Sequence, residues 1–232
     1  KYFVLGAFSS AFLLYGIALV YGATGSTNLT EIRSFLGSNI LANDLLLLGG
    51  MALLLVGLGF KVAAAPFHSW APDVYEGSPS PMVAYMASGV KTAGFAGIIR
   101  VFVFGFETYR VEWQPLVYAV AVATLLVGAV VAVSQTNVKR MLAYSSISHA
   151  GFILLGVQAA TDKGVQAALF YLATYSLTVI GSFGVVTVVG RRGDNAHDLS
   201  DYRRLARRAP LLAFAFPVFL LALLVLIVLC TA

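Results

Sequence analysis

The sequence predicts an all-α, polytopic membrane protein with about seven transmembrane helices, on three observations. First, 59% of its 232 residues are hydrophobic and 11% are charged, whereas soluble domains carry about 25% charged residues. Second, its apolar residues form runs of roughly 20, the length that a helix needs to cross a bilayer. Third, the lysines and arginines behind the net charge of +5 flank these runs, where they set membrane orientation, so nucleic acid is not an expected partner. A disulfide scaffold is excluded because Cys230 is the only cysteine.

The elements follow in order from the length of each run and from the residues that flank it. A short interfacial helix is predicted at Asn28–Leu36, because Asn28 stands three residues ahead of Glu31 as in a capping box. The segment Ala71–Ser80, rich in proline and acidic residues, is predicted to be a loop. The predicted spans are Tyr2–Tyr21, Leu45–Pro66, Pro81–Phe104, Pro115–Ser134, Met141–Gln158, Val165–Gly190 and Pro210–Cys230.

The basic residues fall unequally on the two sides of the membrane when successive loops alternate. Nine lie on one side and four on the other, not counting Lys61 and Lys91 inside spans. Because cytoplasmic loops carry the excess of lysine and arginine, we expect the N-terminus and the loop Arg191–Arg208 in the cytoplasm, and Gly22–Asp44 and the C-terminus outside. The nine are Lys1, Lys139, Arg140, Arg191, Arg192, Arg203, Arg204, Arg207 and Arg208, and the four are Arg33, Arg100, Arg110 and Lys163.

Lys61 is a charged residue deep in the second predicted span. An ionised lysine at bilayer depth costs roughly 3 kcal/mol or more, so it normally faces a protein interior or a water-filled cavity. Pro66 has no N–H, which frees the carbonyl of Val62 and predicts a broken helix one turn after the lysine. Transporters build ion sites at such breaks. The alternative is that Lys61 reaches the interface along its aliphatic stem and that Pro66 simply ends the helix.

Two more ionisable side chains lie near the middle of predicted spans. Lys91 is eleven residues into the third span, too deep to reach the interface easily, and its small neighbours Gly89, Ala93 and Gly94 allow close helix approach. His149 is nine residues into the fifth span, and an imidazole that titrates near neutral pH suits a proton relay. The alternative for His149 is a structural hydrogen bond between helices.

Weaker candidates accompany these three residues. His68 lies at the predicted break or at its loop edge, and Tyr171 and Tyr175 are the stronger polar candidates in the sixth span. Six hydroxyl residues of the fifth and sixth spans could line a hydrated path, but most of them are expected to bond back to their own helix. They are Ser145, Ser146, Ser148, Thr174, Ser176 and Thr178. The sequence has no CxxC, Walker, GxGxxG or paired-histidine haem motif, and no carboxylate deep within a span. We therefore expect no metal, nucleotide or redox cofactor on this chain, and proton chemistry carried by lysine and histidine.

Two long motifs resemble those of a known family. One is the run KVAAAPFHSWAPDVYEG from Lys61 to Gly77, with Lys91 thirty residues after Lys61. The other is the run KRMLAYSSISHAG from Lys139 to Gly151. Both resemble the antiporter-like membrane subunits of respiratory complex I, and among these the subunit N, or ND2-type, family of bacterial NADH-quinone oxidoreductases. The resemblance covers roughly residues 1–215.

The resemblance implies a single membrane domain that holds parts of two inverted five-helix repeats. Residues 1–104 would end the first repeat and residues 115–232 would begin the second, as about helices six to twelve of fourteen. Lys61 would be the lysine of the broken helix, supported by Pro66 and His68. Lys91 would receive its proton, and His149, with Tyr171 and Tyr175 as support, would belong to the channel of the second repeat.

The resemblance also implies a function and a setting. The chain would be a proton-translocating subunit of NADH-quinone oxidoreductase in the bacterial cytoplasmic membrane, beside other membrane subunits that include a neighbouring antiporter-like one. NADH, FMN, iron–sulfur clusters and quinone would bind partner subunits. The alternatives are a subunit of a multi-subunit sodium/proton antiporter, which shares these motifs, and a structural membrane subunit with non-pumping lysines. Two departures predict a fragment or an altered chain: the family's glutamate partner of Lys61 lies on a helix before Lys1, and Phe219–Cys230 is uniformly apolar.

Overall fold

The structure is a computed structural model that describes residues 1–39, 44–190, 193–195, 197–203 and 205–231, with side chains as far as Leu223 in the last helix. Most of the described residues are helical. A 3₁₀ turn, Leu199–Tyr202, and a helical turn, Leu205–Arg208, lie before the last helix. The longer helices are α1 (Tyr2–Thr24), α2 (Leu29–Ser38), α3 (Leu45–Val62), α4 (Trp70–Gly77), α5 (Ser80–Gly105), α6 (Arg110–Val133), α7 (Val138–Gln158), α8 (Asp162–Gly190) and α9 (Pro210–Thr231).

The chain is a multi-pass membrane protein. Within the described residues, six helices are long and apolar enough to cross a bilayer, namely α1, α3, α5, α7, α8 and the helix that contains α6. The seventh predicted span corresponds to α9. Most helices extend beyond the predicted runs at a polar end; α6, for example, begins at Arg110 rather than at Pro115. This difference arises because hydropathy marks the part of a helix inside the lipid, whereas its first turn continues into the polar interface.

The predicted loop at Ala71–Ser80 is wrong, because Trp70–Gly77 forms the helix α4. Pro72 lies in its first turn, where a missing N–H costs no hydrogen bond, and Asp73 beside it complements the helix dipole. The proline and acidic residues thus start a helix here. Burial of Trp70 and Tyr75 anchors this helix against the core.

The short helix predicted at Asn28–Leu36 is present as α2. The side chain of Asn28 caps it by accepting a hydrogen bond from the Thr30 amide at 2.9 Å. The reciprocal bond, in which Glu31 would accept from the Asn28 amide, is not formed: that amide donates to the Ser26 hydroxyl at 3.0 Å, and the Glu31 carboxylate accepts from the same hydroxyl. Half of the capping box is therefore present.

A break separates α3 from α4, as predicted around Lys61 and Pro66. It begins at Ala63, which has left-handed backbone angles (φ 57°, ψ 42°), so α3 ends at Val62. Pro66 follows a cis peptide bond, and the amide of Ala65 donates to the Thr124 hydroxyl of α6 at 2.9 Å. The break therefore begins three residues before Pro66, its expected cause. A side chain from α6 satisfies an amide that the break leaves free.

Small residues set the closest helix contact, between α6 and α7. A Cβ atom on Gly128 would lie 2.7 Å from the Cα of Ser148, and one on Gly151 would lie 2.6 Å from Leu125. Each is closer than atoms can approach, so both glycines are required for this spacing. In the rest of the chain α1 packs on α3, and α8 packs on α5, α7 and α9.

Charged residues at the helix ends divide into two groups, as the predicted alternation of loops requires. At one end Lys1 pairs with Asp73, and Arg140 contacts both Asp73 and Glu76 at 2.8 Å. At the other end Arg33 pairs with Glu107. Residues 191, 192, 196 and 204 of the predicted cytoplasmic loop lie outside the described residues. Which end faces the cytoplasm stays a prediction.

Candidate functional site

Lys91 is the best-defined candidate, because its ammonium is buried and held by another helix. The residue is 2% exposed. Its Nζ donates to the carbonyl oxygen of Ser146 at 2.5 Å and to the hydroxyl of the same residue at 2.6 Å. A π-helical turn, Met86–Val90, directly precedes it in α5, and such insertions are frequent at functional sites. Gly94, one turn further on, lets α5 approach α3 closely.

Ser146 joins Lys91 to a tyrosine of α8. The hydroxyl of Tyr175 donates to Ser146 Oγ at 2.8 Å, and the Tyr175 ring centre lies 6.0 Å from Lys91 Nζ. Ser146 is therefore an exception to the expectation that most of these hydroxyls bond back to their own helix. The same expectation is met at Thr174 and Thr178, whose hydroxyls donate to carbonyls one turn earlier in α8.

His149 lies one turn after Ser146 on the same face of α7. It is 4% exposed, and its Nδ1 is 2.6 Å from the hydroxyl of Tyr171. The Tyr175 ring packs against the imidazole with 5.3 Å between ring centres. Two predicted tyrosines thus contact the predicted histidine. We call Lys91, Ser146, His149, Tyr171 and Tyr175 the Lys91 cluster.

The Lys91 cluster combines two groups able to carry a proton with three hydroxyls that both donate and accept hydrogen bonds. No carboxylate belongs to it, so within the described residues the positive charge of Lys91 rests on the neutral acceptors of Ser146. A buried charge without a counter-ion responds strongly to any other charge that approaches, because the surrounding medium screens it weakly. The arrangement is therefore suited to holding a proton whose affinity depends on more distant charges.

Lys61 lies apart from the Lys91 cluster. It is the second-to-last residue of α3, and its exposed side chain lines a groove of about 310 Å³ with Tyr2, Phe3 and Ser10 of α1. Within the described part of the chain its ammonium has no hydrogen-bond or ion-pair partner. The backbone at Lys61 meets α5 at Gly94, while its ammonium does not join the contacts of Lys91. The role of Lys61 stays a prediction.

Pro66 and His68 flank the break. Pro66 is exposed and His68 is half-buried. The Nδ1 atom of His68 is buried and has no hydrogen-bond partner among the described residues. The two residues lie beyond Val62, outside the Lys91 cluster, so their predicted supporting role concerns Lys61 alone.

A second polar network fixes the ends of the helices that carry the Lys91 cluster. The carboxylate of Asp194, in the loop after α8, accepts from Lys139 Nζ at 2.6 Å, and from the amide and hydroxyl of Ser80 at 2.9 and 2.6 Å. Partial burial raises the pKa of the Asp194 carboxyl, but the bonds from Lys139 and Ser80 outweigh it and lower the pKa overall. Since Ser80 begins α5 and Lys139 lies in the first turn of α7, Asp194 ties both helices to the loop. No sequence signal marked Asp194.

Across the described residues, no three histidine, cysteine or acidic side chains come together as a metal site would require.

Comparison with known proteins places the chain beside respiratory membrane subunits. Residues 1–227 match the family model described as NADH:quinone oxidoreductase/Mrp antiporter, TM. A protein named NADH-quinone oxidoreductase subunit N, from Parafrankia sp. (strain EAN1pec), is 50% identical over 223 residues, which cover 96% of this chain and 42% of that protein.

Two solved structures show the same arrangement of helices. A chain of respiratory complex I from Thermus thermophilus, with bound aureothin, is 41% identical with a TM-score of 0.77, covering 97% of this chain and 47% of that chain. A chain of the Mrp complex from Dietzia sp. DQ12-45-1b is 25% identical with a TM-score of 0.82, covering 99% and 45%. The chain therefore spans less than half the length of these relatives.

Proposed function

Because the chain belongs to the NADH:quinone oxidoreductase/Mrp antiporter transmembrane family, we propose that it works as a proton-translocating membrane subunit of an NADH-quinone oxidoreductase. The observation that carries the proposal is the buried Lys91 ammonium, held by Ser146 beside His149. The identities of 50% and 41% to the NADH-quinone oxidoreductase and complex I chains, against 25% to the Mrp chain, favour this function over that of an antiporter.

In this proposal the chain carries protons, while NADH, FMN, iron–sulfur clusters and quinone bind partner subunits. These partners include a neighbouring antiporter-like subunit in the bacterial cytoplasmic membrane, with the loop Arg191–Arg208 on the cytoplasmic side. Two unit charges about 10 Å apart interact by roughly 1.7 kcal/mol at an effective dielectric near 20. A carboxylate that moves toward or away from an amine by such distances changes the proton affinity of that amine more than tenfold. Redox chemistry on the partners would drive that movement.

The lysines act in sequence. Lys61 faces an open groove, where a carboxylate from another helix would load it with a proton, and Lys91 is the next acceptor. When the carboxylate withdraws, the Lys61 ammonium releases its proton to water and the neutral amine of Lys91 takes one up. His149, beyond Ser146, is the following group on the path.

The test replaces the lysines in the complete complex and follows NADH oxidation and dye-quench proton pumping in membrane vesicles. Lys61→Met and Lys91→Met should assemble, because methionine matches the stem of lysine and, at Lys91, also removes a buried charge. Both activities should nevertheless fall. Lys61→Arg should be nearly as harmful, since a guanidinium does not release its proton. Lys163→Met, at an exposed position of α8, is the matched control and should behave like the parent.

Two outcomes would contradict the proposal. If Lys61→Arg pumps like the parent, positive charge alone suffices and Lys61 is not a relay. If both methionine variants assemble and pump normally, the chain is a structural subunit with non-pumping lysines.

The sodium/proton antiporter alternative is favoured by one observation, the higher TM-score to the Mrp chain. The driving force distinguishes the two functions. Proton movement that depends on NADH oxidation supports the oxidoreductase, and movement that depends only on a sodium gradient supports the antiporter.

A further inference from the structure

The position of Ser146 in the Lys91 cluster is unusual for a serine within a membrane helix. Such hydroxyls commonly donate to a carbonyl one turn earlier. Ser146 Oγ instead receives hydrogen bonds from Lys91 at 2.6 Å and from Tyr175 at 2.8 Å. Three helices, α5, α7 and α8, therefore meet at one oxygen atom.

We propose that Ser146 is a positioning residue that serves Lys91 in both of its protonation states. A hydroxyl has one hydrogen and two lone pairs. When Lys91 is an ammonium, Ser146 Oγ accepts from it and from Tyr175, and both lone pairs are used. When Lys91 has lost its proton, the hydroxyl turns and donates its hydrogen to the lone pair on Nζ while still accepting from Tyr175. This role rests on the proposed function, in which Lys91 gains and loses a proton.

The backbone carbonyl of Ser146, the other acceptor of Lys91, cannot perform this exchange because it has no hydrogen to donate. Without the Ser146 hydroxyl, the neutral amine of Lys91 would lose a hydrogen-bond donor. The ammonium of Lys91 would lose one of two acceptors and keep only the carbonyl of residue 146. A bond from a charged donor is roughly twice as strong as a neutral one. Loss of the hydroxyl therefore harms the ammonium more, and Lys91 should release its proton at lower pH.

The other titratable groups around Lys91 stay unchanged when Ser146 alone is altered, so they do not mask this effect. No carboxylate is among those that the described residues provide. From the helices packed against α5 they are Lys61 of α3, Tyr75 of α4, His149 of α7, and Tyr171 and Tyr175 of α8.

The test measures the pH profile of NADH-driven proton pumping in the complete complex, with assembly checked on native gels. In this profile, one limb reports the loss of the proton from Lys91. Ser146→Ala should shift that limb to lower pH, by about one unit. Ser146→Thr keeps the hydroxyl and should restore the parental profile. Ser145→Ala is the matched control, because the neighbouring hydroxyl makes no described hydrogen bond, and it should leave the profile in place.

A second variant tests the same idea with the opposite sign. Tyr175→Phe keeps the aromatic ring near Lys91 but removes a donor that competes for Ser146 Oγ. The ammonium should then be bound more strongly, and the limb should move to higher pH by less than one unit. This result does not require that Ser146→Ala assembles.

The outcomes separate this role from the proposed function. If Lys91→Met abolishes pumping but Ser146→Ala or Tyr175→Phe leaves the profile unmoved in an assembled complex, Ser146 does not position Lys91 and the proposed function stands. Ser146 is likewise excluded as a positioning residue if Ser146→Thr shifts the profile as far as alanine does. If Lys91→Met pumps normally, the proposed function is wrong and this role falls with it.

Discussion

Replacing Asp194 by alanine should destabilise the protein by an amount that follows from its contacts. The change leaves the Lys139 ammonium, 1% exposed, with Ser78 O at 2.9 Å as its remaining described acceptor. It also removes the partner of the Ser80 amide and hydroxyl. Breaking a buried ion pair at one side costs about 3–5 kcal/mol. Since the Asp194 side chain is 24% exposed, water replaces part of the loss, and we expect about 3 kcal/mol.

The assay is thermal unfolding of the assembled complex, combined with limited proteolysis of the loop after α8. Asp194→Ala should lower the unfolding temperature of this subunit and expose the loop to cleavage. Adding Lys139→Met removes the unpaired charge and should recover most of the loss, because an apolar replacement of a buried pair is often neutral. Asp162→Ala, at an exposed carboxylate of α8, is the control.

The contacts of the Asp194 carboxyl also make the stability of the protein depend on pH. Because the folded protein lowers the pKa of the Asp194 carboxyl below 3.8, its stabilising contribution is complete above that value and disappears as pH falls through the lowered pKa. The parent and Asp194→Ala should therefore differ at pH 7 and at pH 5 and converge under strongly acidic conditions. An Asp194→Ala protein as stable as the parent at pH 7, or a double variant no better than the single one, would refute the reasoning.

Three other predictions concern packing, the proton path and topology. Gly128→Ala should clash with α7 and lower the free energy of unfolding by about 1–3 kcal/mol, measured by thermal unfolding. Gly184→Ala, with open space around the added methyl group, should leave that free energy unchanged. His149→Ala should slow proton pumping without abolishing it, and an unchanged rate in an assembled complex would leave His149 a structural role only. A cysteine at Ser200, in a background without Cys230, should react with an impermeant thiol reagent from the cytoplasmic face only, and labelling from outside would reverse the predicted orientation.

The spans and the break were predictable because they depend on composition and local geometry. In a chain with so few charged residues, runs of about 20 apolar residues fit only as helices that span a membrane. The break was located within three residues from Pro66, although Ala63, an ordinary residue in a left-handed conformation, ends the helix. The helix α4 was missed because proline and acidic residues signal both loops and helix starts, and burial of Trp70 and Tyr75 decided between them.

The candidate site could be predicted at those residues whose ionisable side chains have a high free-energy cost in lipid. Lys91 and His149 stand out in the sequence for that reason, and their burial in a shared cluster agrees with it. Ser146 was named only as one of six residues that could line a hydrated path, because a serine costs little in a membrane helix and its partner Lys91 is 55 residues away in the chain. Asp194 was missed because a carboxylate in a loop is ordinary until the fold brings Lys139 and Ser80 to it.

The length of α8 makes the site sensitive to the bilayer itself. Its 29 residues extend about 43 Å, whereas the hydrocarbon core of a typical bilayer is about 30 Å thick. A helix this long must tilt or project from the lipid, and the degree of tilt depends on bilayer thickness. Because α8 carries Tyr171 and Tyr175 while α7 carries Ser146 and His149, a change in its tilt would move the tyrosines relative to their partners. Acyl-chain length in reconstituted vesicles thus becomes a variable that should change the contacts of Tyr171 and Tyr175 without altering a single residue.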